Sequence, residues 1–494
     1  MNFDKQRRRV VLSSSLMSRY NLLTEPWVSV IDTEGRPHTV SLREALLDAE
    51  DLAYLGDPDP GVEVAVLRLM IAAVHAAAFR KLVPAGESPL SAPYPRKQIA
   101  AYLDEWEHRF DLFDAENPFF QAPHAAKLKG TTPMTLAAPF LAGEGSKVYA
   151  PGGVVSHDDA MDPADAARYL LCIQAWGNGQ ATSGPLPGET NKSTPAGVLA
   201  GSLNMYPMGT TLAQTLLMNI TPTEGNPGKP VWEVPSGTAP TGWLGRLAWP
   251  SRSYLMDQDR HGRVVRVYFG AGHRPEEEVT EPHFIYRKPK KDGADKPVYL
   301  RGSADRALWR ETPTIYGWRD ERGCEQANRA AEWLADSGQQ IGAAMIYGRD
   351  NVGMSVASVQ IRAEIMLPVT LLGKSGGAVD VIITCLEQTT KVSSALRNAI
   401  AGLNTFGKDI SPYAASQFWP DVEPFYFALI RECAATKEGE VHEQAAANYR
   451  EAVREMALSL FAQEAQVLSP LEFGEKSARL RLSLNIIFKE TKKS

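Results

Sequence analysis

Beyond residue 375 the chain reads as one helix after another. Val441, Ala445, Tyr449, Val453, Met456 and Leu460 recur every three or four positions, and Cys385, Val392, Leu396, Ala399 and Leu403 do the same. That spacing lines one side of an α-helix, which turns once in about 3.6 residues. Tyr413 to Ala434 and Glu475 to Phe488 complete the set, although Leu480, Leu482, Leu484 and Ile486 also alternate as a strand would. Four amphipathic helices joined by short turns hide their apolar sides most economically in an up-and-down four-helix bundle.

Upstream the pattern is mixed. Trp27 to Ile31 predicts a strand, Glu34-Gly35 a turn, and His38 to Val40 a strand returning alongside. Ser41-Leu42-Arg43-Glu44 is a capping box that opens a helix running to about Ala53. Helices are also expected at Gly61 to Leu82 and Gln98 to Phe113, and at Pro163 to Trp176 and Thr211 to Asn219, where the last two interrupt a loop-rich stretch from Pro123 to Pro250 in which glycine, proline and threonine are frequent. Strands follow at Arg263 to Phe269, Phe284 to Arg287 and Val298 to Arg301, then a helix near Arg329 to Ser337. Two apolar runs, Ala343 to Tyr347 and Val359 to Leu367, flank a polar turn at Gly348 to Gly353. The fold class is α+β: an extension over 1–20, a mixed recognition domain over 21–375 and the bundle over 376–494. The length of 494 residues suits such a division.

The N-terminal Arg7-Arg8-Arg9 lacks the long apolar run of an export signal, and reads as a disordered extension or as sequence upstream of a start at Met17. Val62 to Phe79 is apolar, but Glu63, Arg68 and His75 within it predict a buried helix rather than a membrane span. Cys172, Cys324, Cys385 and Cys433 are far apart, with no CxxC pair, which fits a reducing cytoplasm and argues against a zinc knuckle. The net charge of −6 argues against a protein that coats nucleic acid non-specifically.

No catalytic motif survives inspection. Gly184-Pro185-Leu186-Pro187-Gly188-Glu189-Thr190-Asn191-Lys192-Ser193 resembles a phosphate loop, but Asn191 stands where a glycine must let the backbone approach phosphate. His157-Asp158-Asp159 are consecutive, and three neighbours rarely converge on one metal ion. No nucleophile elbow, HExxH helix or dinucleotide-binding turn is present. A binding protein without enzyme activity, metal or cofactor is expected. Arg287-Lys288-Pro289-Lys290-Lys291 puts four cations at a hairpin tip, either along a phosphate backbone or simply as a soluble turn. Gly177, Gly179, Gly184 and Gly188 mark either a close backbone approach to a ligand or an ordinary loop.

Several stretches together resemble one family. They are Asn21-Leu22-Leu23-Thr24-Glu25-Pro26-Trp27-Val28, Glu116-Asn117-Pro118-Phe119-Phe120-Gln121, Thr132-Pro133-Met134 and Leu216-Leu217-Met218-Asn219-Ile220. Lys229-Pro230-Val231-Trp232, Gly242-Trp243-Leu244-Gly245-Arg246-Leu247-Ala248-Trp249-Pro250 and Ala395-Leu396-Arg397-Asn398-Ala399 follow in the same order. In this order and spacing they resemble the CasA family, the large subunit of the type I-E CRISPR surveillance complex Cascade.

The resemblance implies a mixed N-terminal domain and a C-terminal four-helix bundle. It also implies partners: the backbone and small subunits, CRISPR RNA, double-stranded target DNA, and an effector helicase–nuclease recruited for antiviral defence. Such a subunit recognises the protospacer-adjacent motif (PAM) and helps start unwinding and R-loop formation, while guide pairing reads the target sequence. Carried over by resemblance, Lys147, Val148 and Tyr149 lie in the loop reaching the RNA handle and backbone subunits. Gly177, Gly179 and Gly184 fall in the glycine loop that approaches the PAM. Arg266 takes the place of a lysine finger, and Val352 that of a glutamine wedge between Arg349 and Asn351 on one side and Gly353 on the other. An apolar side chain can unstack a base step as a wedge. Arg397 is placed to hold the displaced non-target strand, and the family's cysteine cluster is absent. Two alternatives stand beside this reading. One is a purely structural subunit capping an RNA–protein filament, and the other a nuclease with metal at Asp158 and Asp159.

Overall fold

The computed structural model describes residues 19–80, 89–137, 160–220, 227–274, 281–287, 298–303, 306–318, 342–351, 358–401 and 411–489. Two compact units emerge, Met1–Pro282 with Ile346–Arg362 and His283–Met345 with Ala363–Ser494.

The first unit opens with β1 (Val28–Asp32), paired antiparallel to β2 (Pro37–Val40). The capping box forms as the sequence predicts: the Ser41 hydroxyl accepts from the Glu44 amide at 3.2 Å, and the Glu44 carboxylate accepts from the Ser41 amide at 2.8 Å. The helix it starts, α1 (Leu42–Leu47), is shorter than expected. Leu52–Leu55 instead becomes β3 on the free edge of β1, where the sheet supplies backbone partners and Leu52 and Leu55 enter the core.

The centre of this unit is α2 (Pro60–Ala78), in which every residue from Gly61 to Ala76 is buried. A helix apolar all round belongs inside a large core, and this one is long and apolar enough to cross a membrane yet is enclosed by protein. Arg68 at its middle is neutralised by Glu281 at 2.8 Å and also donates to the Tyr206 hydroxyl at 3.1 Å and to the carbonyls of Leu247 and Arg246. Then come α3 (Arg96–Trp106), β4 (Gly130–Thr131), α4 (Met134–Ala137) and α5 (Pro163–Trp176). Next are β5 (Gln180–Ala181), β6 (Ser193–Thr194), β7 (Asn204–Met208), α6 (Leu212–Met218) and α7 (Gly242–Leu247). The long hairpin β8 (Arg252–Gln258) and β9 (Val264–Ala271) forms the sheet β4-β9-β8. Gln121, from the 116–121 stretch, is buried because its side chain bridges two segments: it donates to the Leu112 carbonyl at 2.7 Å and accepts from the Met256 amide of β8 at 2.8 Å.

The second unit contains β10 (Tyr286–Arg287) paired with β11 (Val298–Tyr299), the arms of the predicted hairpin, and α8 (Thr312–Ile315). Its basic tip, and the helix expected near Arg329 to Ser337, lie outside the described residues. The parts of β12 (Gly342–Asn351) and β13 (Ser358–Leu367) that fall in Ile346–Arg362 belong to the first unit, and the two strands lie in a sheet of order β13-β12-β7. The polar turn expected from Gly348 is corrected: Gly348 to Asn351 continue β12 as strand. Their turn-like composition is overridden because Arg349 is buried, and a buried backbone needs ladder partners.

The bundle comprises α9 (Ala378–Ala401), α10 (Ser411–Ala435), α11 (Gly439–Glu464) and α12 (Pro470–Lys489). α9 packs on the other three, and α11 packs on α10 and α12. Ile382, Cys385, Val392 and Leu396 of α9 face Val422, Tyr426 and Ile430 of α10 and Tyr449 and Val453 of α11 in one core. Thr389 and Tyr449 share a buried hydroxyl contact at 2.8 Å. Two details differ from the periodicity. Val441 is exposed while the adjacent His442 is buried, its ring hydrogen-bonding the Thr436 carbonyl. In α12 Leu480 and Leu484 are buried, one helical turn apart, and Leu482 and Ile486 are exposed, which resolves the strand-like alternation as helix.

Candidate nucleic-acid interface

The glycine-rich segment begins where α5 ends. Asp162 stands at its N-cap position, Pro163 starts the first turn with φ already suited to helix, and Trp176 is its last residue. The chain leaves through Gly177 with φ −59° and ψ 139°, an extended conformation open to any residue. It then makes the short pair β5–β6, closed by the Thr182 amide donating to the Lys192 carbonyl at 2.7 Å. The return arm is tied to the helix end, where the Gly197 amide donates to the Gly177 carbonyl at 2.7 Å and the Leu199 amide to the Ala175 carbonyl at 2.9 Å. A Cβ on Gly197 would lie 2.3 Å from the Ala175 carbonyl oxygen, so this position has room only for glycine.

The segment is also stitched to the β8–β9 hairpin. The Ser183 hydroxyl donates to the Phe269 carbonyl at 2.6 Å, and the Ala271 amide donates to the Gly184 carbonyl at 2.9 Å. Arg266 is exposed on β9, roughly 10 Å along the strand from the Phe269 tie at the usual strand rise. Its aliphatic stem crosses Gly130 of β4, where a Cβ would stand 2.6 Å from the Arg266 Cδ. The hairpin therefore holds the glycine segment and the expected finger on one scaffold.

The expected DNA contacts divide sharply by exposure. Gly179 is exposed, and its neighbours Asn178, Gln180 and Ala181 are half-buried or exposed. Gly177 and Gly184 are buried, which corrects the expectation that both offer backbone to DNA. At Gly177 the Arg252 guanidinium fills the space, its Cζ 2.2 Å from where a Cβ would be. At Gly184 the Leu128 side chain does so, also at 2.2 Å. Gly188 is exposed with φ +81° and nothing near a Cβ, so glycine is required there by the turn alone.

Arg349 is a second correction. It is 2% exposed, donates to the Trp176 carbonyl at 2.8 Å and stands over the Trp176 ring at 5.7 Å. Burial is the main reason its pKa falls to about 10, with the positive charge of Arg252 adding to the effect. It braces the end of α5, and its side chain is not offered to DNA beside the expected wedge. One strand residue before it in the alternation, Tyr347 donates to Glu63, whose carboxylate also accepts from Arg362 at 3.2 Å. Burial pushes the Glu63 carboxyl above its ordinary range. Asn351 closes β12. Val352, Lys147, Val148, Tyr149, Asp158 and Asp159 lie outside the described residues. In the second unit Arg397 is exposed on α9, as a strand-holding cation would need to be.

Sequence reasoning missed Arg252, Gln174 and Gly197. An arginine opening a strand carries no local mark of burial, and Gln174 resembles any polar residue near a helix end. Gly197, following Pro195 and Ala196, had only its turn-like neighbours as a signal.

Comparison with known proteins adds a family to this geometry. The family model described as CRISPR-associated protein Cse1 matches residues 21–460. A curated relative from Thermus thermophilus, CRISPR-associated protein CasA/Cse1, is 29% identical over 310 residues, which span 60% of this chain and 60% of the relative's length. The crystal structure of Cse1 from Acidimicrobium ferrooxidans shares the fold with a TM-score of 0.80 at 22% identity, covering 96% of this chain and 99% of that one. A chain of a structure titled CRISPR RNA-guided surveillance complex matches with a TM-score of 0.75 at 18% identity, over 95% of this chain and 99% of that chain.

Proposed function

Because the chain belongs to the CRISPR-associated Cse1 family, we propose that it is the large subunit of a type I-E RNA-guided surveillance complex and reads the PAM on duplex DNA. The family match across residues 21–460 carries this reading, and the likeness to a chain of a surveillance complex supports it. Its partners are the backbone and small subunits, CRISPR RNA, the target duplex and an effector helicase–nuclease in the cytoplasm. The subunit binds and performs no chemistry of its own.

Exposed backbone around Gly179 and the cation of Arg266 are the groups that reach the duplex. Backbone donors and acceptors with one cation suit a short, degenerate motif in the minor groove, where A·T and G·C differ mainly by one amino group. Asn351, the last residue of the braced strand β12, and Val352 start strand separation. Arg397 holds displaced strand, and Lys147, Val148 and Tyr149 meet the RNA handle.

A second reading is favoured by one observation: Gly177, Gly184 and Arg349 are all buried, which leaves few exposed reading groups. In that reading the chain only caps an RNA–protein filament. Binding of the assembled complex to duplexes with and without a PAM separates the two, measured with and without this subunit. PAM-dependent tightening that requires the subunit is expected. Equal affinity in all arms would leave only the capping role.

A further inference from the structure

Arg252, the first residue of β8, is 2% exposed. Among the described residues no carboxylate pairs it, and burial holds its pKa below the ordinary arginine value. A buried guanidinium without a counter-charge costs stability unless hydrogen bonds satisfy its donors. Here they converge on the end of α5. Nη1 donates to the Ile173 carbonyl at 3.3 Å and to the Ser251 hydroxyl at 2.8 Å, and Nη2 donates to the Asn178 carbonyl. The last carbonyls of a helix carry partial negative charge, which favours a cation there.

The backbone of Arg252 is fixed as well. The Gln174 side chain donates to the Arg252 carbonyl at 2.8 Å and accepts from the Arg252 amide at 2.8 Å. The Ser251 hydroxyl donates to the Gln174 carbonyl at 2.7 Å. A planar fork thus joins one carbonyl inside the helix, Ile173, to one beyond it, Asn178. A lysine, with a single compact head, reproduces the charge and not the fork.

Gly177 is shaped by the same guanidinium. Its φ and ψ suit any residue, so the backbone does not require glycine. A Cβ there would meet Cζ, Nη1 and Nη2 of Arg252 at 2.2, 2.3 and 2.4 Å, so the guanidinium does.

We propose that Arg252 is a positioning residue that sets the path of the exposed segment Asn178 to Ala181, and that Gly177 is glycine to admit its guanidinium rather than DNA. The functional consequence rests on the PAM-reading role proposed above. Arg252 touches no ligand, and acts by directing Gly179 and its neighbours out of the helix end along one trace.

The test uses the assembled complex carrying Arg252→Lys or Gly177→Ala. Hydrogen exchange reads the positioning itself. Amides from Asn178 to Ala181 should exchange faster in both variants, with those of α9 to α12 unchanged. Equal exchange in the 178–181 segment would overturn the proposal. Affinity for PAM and non-PAM duplexes reads the consequence. Loss of a charge-assisted hydrogen bond predicts that the affinity ratio falls about ten-fold, while binding of single-stranded target stays within about two-fold. A parallel fall in both would mean general destabilisation and would also overturn it. If Arg252→Lys fails to assemble, Ser251→Ala, which removes one acceptor of the fork, should move the same amides and the same ratio by less, and no movement counts against the proposal. Gly179→Val is the control for the parent reading. If it leaves the ratio unchanged, PAM reading by this segment fails, whereas the exchange result still decides the positioning.

Discussion

Arg68 and Glu281 offer the sharpest test of how the first unit holds together. Both side chains are 1% exposed and 2.8 Å apart. Replacing Arg68 with methionine keeps most of the side-chain volume, removes the cation, and leaves the Glu281 carboxylate in the core. Breaking a buried pair by removing one partner costs about 3–5 kcal/mol. Arg246 remains 3.5 Å from the other carboxylate oxygen and softens the loss, so the lower end, about 3 kcal/mol, is expected. The double variant R68M/E281L removes both charges of the pair but also takes this carboxylate from Arg246, so it should recover part of the loss and cost clearly less than the two single variants summed. Urea unfolding followed by tryptophan fluorescence measures both. An R68M cost below about 1 kcal/mol, or a double variant as unstable as the summed single ones, would mean that the buried pair does not hold this core.

Three further outcomes follow from the same structure. Burial raises the folded-state pKa of Glu63 above its ordinary 4.5, against the opposing effects of Tyr347 and Arg362. The native state then binds that proton more tightly, so the contribution is full below the unfolded pKa and is lost as pH rises through the folded one. The stability of the natural protein relative to Glu63→Gln should therefore fall as pH rises from 4.5, and a rising difference would contradict the assignment. Cys172, Cys385 and Cys433 are buried, and burial pushes the last two thiols up to about 11 and about 12. Peptide mapping after brief thiol alkylation of the native protein should find these three unmodified. Gly188→Ala should cost about 1 kcal/mol through its left-handed backbone alone, read by thermal unfolding, and asparagine there should cost less.

Much of the architecture was legible because it rests on local periodicity. The bundle helices, α5 and the β10–β11 hairpin follow from spacing and turn residues that are neighbours in sequence. What was not legible depends on residues far away in sequence. Gly177, Gly179 and Gly184 look alike as letters, yet Arg252 fills the space at the first and Leu128 at the third, leaving only Gly179 exposed. Gly348-Arg349-Asp350-Asn351 has the composition of a turn, yet it continues a strand of the sheet β13-β12-β7, with Arg349 buried against Trp176. Pro420 and Pro424 sit inside α10 despite each lacking a backbone donor, because tertiary packing of Phe418, Val422 and Tyr426 outweighs local preference. Contacts supplied by distant segments leave no mark in a local window.

The claim that this subunit reads DNA through the exposed part of the glycine segment is tested most directly by contact. A photo-crosslinking residue placed at Gln180, which is exposed beside Gly179, can be activated in the assembled complex bound to a PAM-bearing duplex. Crosslinks to the PAM base pairs that disappear when the PAM is changed are expected. Crosslinks confined to protein or to CRISPR RNA, with the duplex bound, would contradict the claim.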